Sequence, residues 1–265
     1  AQSSAISFND NCIDITVKYD LKLDSVIVKS NPSLRNIVLL NHIKPVIGTE
    51  KTSIEVVRER GTNVITLSGK FRKDSDSVLT YATIQNPTQF AMMVFLNRLE
   101  RRGIRVNGYS IDIDEYERTI NREELKLLFV SYSEKLSEII KVINKGSQNF
   151  FAEQLLKTIG LEKLGLGSVV NGVAAAKEVF IDIGLNPDNI IMVDGSGLSY
   201  LNMVTPRQIV DLLKYIYSNK KVYADFYNSL PIACVDGTLG KRMKNTTAEN
   251  VVRGKTGYIS YVRSL

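Results

Sequence analysis

The sequence predicts a mixed α/β chain of the α+β kind, with strands gathered in the front and helices in the back. Two patterns predict it. Up to about residue 86 the apolar residues fall in short β-branched runs bounded by turn residues. After about residue 119 they recur at the spacing of amphipathic helices. Length and composition allow real cores: the chain has 265 residues, 44% hydrophobic and 23% charged, enough for one large domain or two modest ones.

Strands are expected at 12–17 (CIDITV), 36–40 (NIVLL), 53–57 (SIEVV), 63–68 (NVITLS) and 80–84 (TYATI), with a hairpin turn at 60–63 and a polar loop over 70–77. Asn86 before Pro87 marks a boundary, because the residue before proline is pushed out of the helical region. Pro87 suits a helix first turn. A helix is expected over 88–102, with Phe90, Met93, Val94 and Leu99 on one face and Gly103 as its stop. Four more helices are expected: 133–143, 150–159 (ended by Gly160), 169–183 and 205–217. Thr205 and Pro206 sit in cap and first-turn positions of the last one. Two final strands, at 251–252 and 259–262, flank Gly254-Lys255-Thr256-Gly257. The expected division is a β-rich module over 1–118, with a smaller subdomain nested at about 20–80, and a helical part over 119–265.

Several function classes are disfavoured. Net charge is +6, but the basic residues are scattered and interrupted by acidic ones, which leaves no stripe for nucleic acid. No apolar run approaches the 18 or so residues of a membrane helix, and AQSSAISFND lacks the basic and apolar regions of a signal peptide. Cys12 and Cys234 lie too far apart in sequence to suggest a disulfide scaffold, and are expected as free, fairly buried thiols. With His42 the sole histidine, a zinc site is not expected. An acyl-transfer enzyme of this composition would use a base other than histidine.

Lys255-Thr256-Gly257 is the sharpest chemical signal. A cation and a hydroxyl adjacent on a strand edge can grip a carboxylate, and the glycine lets a substrate backbone lie alongside. K-T-G arises by chance in about 3% of chains this long, so it carries weight. Its bland reading is a surface turn. Ser147-Gln148-Asn149 fits S-x-N, a pattern expected by chance roughly once in every one or two such chains, so alone it is weak. Ser147 sits between two expected helices and could equally be a helix N-cap. Ser7-Phe8-Asn9 also fits but lies in the β-rich front. Together, S-x-N and K-T-G are two of the three motifs that mark penicillin-binding proteins and class A β-lactamases. They occur here in the right order, 108 positions apart.

On these residues the chain resembles the D-alanyl-D-alanine carboxypeptidases that also act as endopeptidases, the penicillin-binding protein 4 type. The resemblance extends through SAISFNDNCIDITV (4–17), QNPTQFAMMVFLNRLERRGIRVNG (85–108), SEKLSEIIKVINKGSQNFFAEQLLKTIG (133–160), VDGSGLSYLNMVTPRQIVDLL (193–213), LPIACVDGTLGKRM (230–243) and RGKTG (253–257). DGSGLS at 194–199 and DGTL at 236–239 look typical of this family, read as tight turns shaping a cleft rim. The resemblance implies a β-lactamase/transpeptidase-like serine peptidase domain with an inserted β-rich module. It implies that Lys255 and Thr256 hold the terminal D-Ala carboxylate, that Gly257 leaves room for the substrate backbone, and that Ser147 relays a proton between the active-site lysines and the leaving amine. Asn149 would orient the acyl-side peptide group, and the Tyr258 backbone N–H would be the second oxyanion-hole donor. A small hydroxyl residue usually follows K-T-G in the family, so Tyr258 keeps a backbone donor but not that side-chain contact.

The third motif, S-x-x-K, has one literal match, Ser218 to Lys221, at the polar end of an expected helix and after Ser147. It carries little weight. The nucleophilic serine and its lysine are expected upstream of residue 1, and both ends of the chain look cut. The resemblance implies peptidoglycan peptides and β-lactams as ligands, an extracytoplasmic location, and no metal or organic cofactor. The rival expectation is a non-catalytic relative that binds peptidoglycan or a partner protein.

Overall fold

A computed structural model describes residues 2–117 and 119–259. The chain divides into two compact units, Ala1–Leu125 and Lys126–Leu265. In the front unit, β1 (Cys12–Asp20) lies between β2 (Ser25–Asn31) and β6 (Val78–Thr83), antiparallel to both. In a second sheet, β5 (Val64–Arg72) runs parallel to β3 (Val38–Val46) and antiparallel to β4 (Ser53–Arg58).

The two-residue period explains which faces meet. Ile13, Ile15 and Val17 of β1 are fully buried, while Cys12, Asp14 and Thr16 point the other way. Ile65, Leu67 and Phe71 of β5 join them in one core. α1 (Pro87–Arg101) adds Phe90 and Val94, one turn apart. Its start is fixed by Asn86, whose side chain accepts from the Gln89 N–H at 3.0 Å, and by Pro87 in the first turn. Each such buried side chain contributes roughly 1.5–3 kcal/mol.

Several elements depart from the local pattern, each for a tertiary reason. β5 runs on to Arg72, into the stretch expected to be a polar loop, because Phe71 is fully buried and pairing with β4 continues to Lys70 opposite Ser53. β3 starts later than expected and passes through Pro45, which it tolerates as an edge strand of its sheet. β2 was not expected: its Lys-Ser-Asn end looks like loop, yet it pairs with β1 from Asn31 to Ser25. Cys12 and Cys234 are free, but only half-buried.

The back unit holds α2 (Leu136–Gly146), α3 (Asn149–Leu164), α4 (Val169–Asp182), α5 (Pro206–Ser218) and α6 (Tyr223–Ser229). α5 begins with a capping box. The Gln208 N–H donates to Thr205 Oγ1 at 3.3 Å, and the Thr205 N–H donates to Gln208 Oε1 at 2.7 Å. α3 does not stop at Gly160. That glycine is buried where α3 meets α4, and a Cβ on it would lie 2.6 Å from the Gly172 backbone nitrogen. It marks a close approach, and the helix ends at Gly165. α6, seven residues long, was not expected; it is tied to α2 by Asn144, which donates to the fully buried Ser229 hydroxyl at 2.7 Å. In place of a strand at 251–252, Arg253 forms a lone bridge with Ile232. The strand expected at 259–262 lies, past Ile259, outside the described residues. Among the described residues, no single helix is long and apolar enough to cross a membrane.

Candidate active site

The site is built at the junction of α2 and α3. α2 closes with Ser147 in the left-handed conformation, φ 53° and ψ 47°, while the Gln148 N–H returns to the Ile143 carbonyl at 3.1 Å. Gln148 caps α3 and Asn149 is its first residue, exposed. Ser147 is therefore the cap of the helix that ends, not of the one that begins. Its hydroxyl is left to face another part of the chain.

That part is the K-T-G segment, which lies along 231–233. Gly254 N–H donates to the Pro231 carbonyl at 3.1 Å, Ala233 N–H to Val252 at 2.9 Å, and Asn250 N–H to Ala233 at 2.9 Å. Pro231 and Ala233 are fully buried, so the rail is fixed. The Arg253 guanidinium lies over the Tyr227 ring, 4.3 Å from its centroid. Carried this way, Lys255 Nζ donates to Ser147 Oγ at 2.7 Å and to its neighbour's carbonyl, Thr256 O, at 2.6 Å. Partial desolvation holds the Lys255 ammonium below the usual lysine range. Gly257 and Tyr258 continue outward to the surface, Tyr258 being 86% exposed.

A third segment, Asp236 to Leu239, locks these two together. Lys145, two residues before Ser147, donates to Asp236 Oδ2 at 2.5 Å and to the Leu230 carbonyl at 3.1 Å. The other Asp236 oxygen accepts from the Ile232 N–H at 2.9 Å. The Lys145 ammonium holds the Asp236 carboxyl below the usual carboxylate range, with the Ile232 N–H acting in the same direction. Gly237 has φ +55°, and a Cβ there would lie 2.8 Å from the Lys145 carbonyl oxygen, so only glycine lets the turn approach α2 this closely. Next in the chain, Thr238 Oγ1 accepts from Thr256 Oγ1 at 2.8 Å.

The 194–199 loop is anchored to α3 one turn below Asn149. Glu153 accepts from the Gly195 N–H at 3.2 Å, the Ser196 N–H at 3.0 Å and the Ser196 hydroxyl at 2.6 Å. Asp194 turns inward on its own loop, accepting from the Gly197 and Ser199 N–H groups at 2.8 and 2.7 Å. Ser218, in the lone S-x-x-K match, is the exposed last residue of α5, its hydroxyl bonded to the Tyr215 carbonyl at 2.8 Å. A nucleophile belongs at a buried helix start, so this serine is misplaced for the task.

Of the six expected site residues, the structure brings Ser147, Lys255 and Thr256 into one hydrogen-bonded cluster. It places Asn149 beside Ser147, and runs Gly257 and Tyr258 on from Thr256. Sequence reasoning missed Lys145, Glu153 and Thr238. The two glycine turns were visible as motifs, but the helix charges that grip them look like any solvated lysine or glutamate.

This cluster of one ammonium with three hydroxyls is suited to gripping an anion and passing a proton. The chain is 34% identical over 219 residues to the D-alanyl-D-alanine carboxypeptidase of Actinomadura sp. (strain R39), covering 80% of this chain and 40% of that protein. It is 29% identical over 187 residues to the D-alanyl-D-alanine carboxypeptidase DacB of Haemophilus influenzae, covering 69% and 37%. The chain thus spans about two fifths of the length of these curated relatives. The crystal structure of penicillin binding protein 4 (dacB) from Haemophilus influenzae superposes with a TM-score of 0.76 at 22% identity, over 96% of this chain and 55% of that one. The same protein complexed with a novel beta-lactam gives 0.68 at 20% identity, over 97% and 58%. These likenesses establish the penicillin-binding serine peptidase fold. The D-Ala-D-Ala carboxypeptidase 3 (S13) family pattern matches residues 1–265, and the chain belongs to that family.

Proposed function

We propose that these residues form the substrate-holding part of a serine-type hydrolase that cleaves the D-Ala-D-Ala bond of peptidoglycan peptides, with cross-link cleavage as a second activity. The observation that carries the reading is the 2.7 Å bond from Lys255 to Ser147, which joins the K-T-G and S-x-N motifs across 108 positions. Lys255 and Thr256 hold the terminal carboxylate. The serine nucleophile attacks the carbonyl carbon, and the Tyr258 N–H stabilises the oxyanion. Ser147 passes a proton to the departing amine, D-alanine leaves, and water releases the acyl group. Asn149 orients the acyl-side amide, and Gly257 leaves room for the peptide backbone. β-Lactams, whose carboxylate matches the same grip, acylate the serine and leave slowly; the likeness to a protein solved with one supports this. The substrate places the protein outside the cytoplasm. The reading also needs a serine nucleophile paired with a lysine, a task for which Ser218 is misplaced; the chain spans 40% of the length of the Actinomadura relative.

A second reading, a non-catalytic binder of peptidoglycan or a partner protein, is favoured by the misplaced Ser218. Intact-mass spectrometry after penicillin treatment separates the two. The full-length protein should gain one adduct at a serine three residues before a lysine, and these 265 residues alone should gain none. No adduct on the full-length protein would move the reading to the binder. In the full-length protein, Lys255→Ala should slow acylation by both peptide and penicillin. A lost charge-assisted contact costs about 1.5–3 kcal/mol, roughly ten- to a hundredfold in rate. An unchanged rate would remove Lys255 from the site.

A further inference from the structure

We infer that Thr238 is a carboxylate-binding residue of the same site, a third hydroxyl beside Ser147 and Thr256. This rests on the carboxylate role proposed above for Lys255 and Thr256. Three features carry it. Thr238 Oγ1 is 2.8 Å from Thr256 Oγ1, so an oxygen of a carboxylate gripped by Thr256 lies within reach of Thr238. As the acceptor in that bond, the Thr238 hydroxyl keeps its own proton to donate. Both residues reach the surface, Thr238 exposed and Thr256 half-buried, so the pair is open to a ligand.

Rigidity adds to these three. Thr238 sits on a turn held from both sides. Before it, Asp236 is bound to Lys145 and to the Ile232 N–H, and Gly237 lies against the Lys145 carbonyl. After it, Leu239 is buried and its carbonyl accepts from the Cys234 N–H at 3.0 Å. A hydroxyl on such a turn is set before the ligand arrives, and little freedom is lost on binding. When a carboxylate binds, the Thr256 hydroxyl turns its proton from Thr238 to the ligand, and the cluster then offers one ammonium and three hydroxyls to an anion with two oxygens and about four lone-pair sites. A carboxylate with all its sites filled is distinguished from an ester or amide, which cannot accept as many charge-assisted bonds.

The test uses the full-length protein and paired ligands that differ only in the carboxylate. The first pair is benzylpenicillin and its methyl ester, read as acylation rates. In Thr238→Val the acid-to-ester rate ratio should fall about tenfold, the loss of one hydrogen bond to a charged group, while Thr238→Ser keeps the ratio near the parent value. An equal fall with acid and ester would mean that Thr238 only shapes the turn, and an unchanged ratio would exclude it from the clamp; either overturns the inference. The second pair is a D-Ala-D-Ala-terminated peptide and its C-terminal amide, read as equilibrium binding, which needs no nucleophile. If the parent protein forms no penicillin adduct yet prefers the acid, and Thr238→Val abolishes that preference, the hydrolase reading fails while the assignment of Thr238 stands. If the parent shows no preference for the acid in either pair, both fail.

Discussion

Asp236 and Lys145 are 91 positions apart in sequence and in direct contact, and their pairing holds the turn that carries Thr238 to the end of α2. The Asp236 carboxyl is held below its ordinary range, so the folded state binds its proton less readily than the unfolded chain. The stabilisation is therefore present at neutral pH. It is lost as pH falls from the ordinary aspartate range through the lowered folded-state value. Both side chains are partly exposed, 25% for Lys145 and 36% for Asp236, which keeps the contribution near or under about 1 kcal/mol. Asp236→Asn should lower the melting temperature at pH 7, and the gap from the parent should close on acidification. A gap that widens in acid would contradict the pairing. At this scale the sequence was half legible. Ser147, Asn149, Lys255 and Thr256 stand in recognisable tripeptides, whereas Lys145 in KVINKGS has nothing local to distinguish it from a lysine in water. Its meaning comes from a turn 91 residues away.

Among the elements, α3 shows where local rules mislead. Gly160 after Ile159 reads as a helix stop, yet the helix continues to Leu164. The residue is glycine because α4 passes too close for anything larger: a Cβ on Gly160 would sit 2.6 Å from Gly172 N, and one on Gly172 would sit 2.3 Å from Leu156 O. Helix propensity alone would favour alanine at Gly160 by up to about 1 kcal/mol. Forcing the helices apart costs about 1–3 kcal/mol, and the overlap is with backbone, which cannot swing away. Gly160→Ala should therefore destabilise, and Gly172→Ala more so, in urea melts; a stabilised Gly160→Ala would refute the close packing. The same contrast explains β2 and α6. β2 ends in Lys-Ser-Asn, and seven-residue α6 spans less than two full periods of apolar repeat, so neither has enough local pattern to be seen. Strong, capped elements such as α1 and α5, and the alternating run in β1, were legible because propensity and packing agree there.

For the molecule as a whole, the front unit is organised around one core fed from distant stretches. Val26, Leu34, Ile43, Ile65, Leu67 and Phe71 pack in the same cluster as Ile13, Ile15, Val17, Ala82, Ile84, Phe90 and Val94. The segment at about 20–80, which reads in sequence as a nested subdomain, supplies the first six of these. Pairing of β1 with β6 brings its ends together, so a short linker could close the gap. Closing it would still leave Ile13, Ile15, Val17 and Phe90, all fully buried now, facing water. At roughly 1.5–3 kcal/mol for each side chain, that is comparable with the whole net stability typical of a domain, about 5–15 kcal/mol. Deletion of 20–80 should abolish soluble folding of the front unit, measured by expression and far-ultraviolet dichroism. A soluble, cooperatively melting deletion would show that the segment is separable.

The left-handed backbone at Ser147 bears on how this sequence would drift if released from its chemistry. A serine at φ 53° is held where L-residues are disfavoured by roughly 1–2 kcal/mol, and where glycine is at ease. Ser147→Gly and Ser147→Ala both delete the hydroxyl, but the glycine variant should melt higher than the alanine one, since only alanine keeps the steric penalty. A chain with no use for the hydroxyl would thus gain stability by carrying glycine here. The serine keeps its side chain at that energetic cost, with its hydroxyl 2.7 Å from Lys255 Nζ.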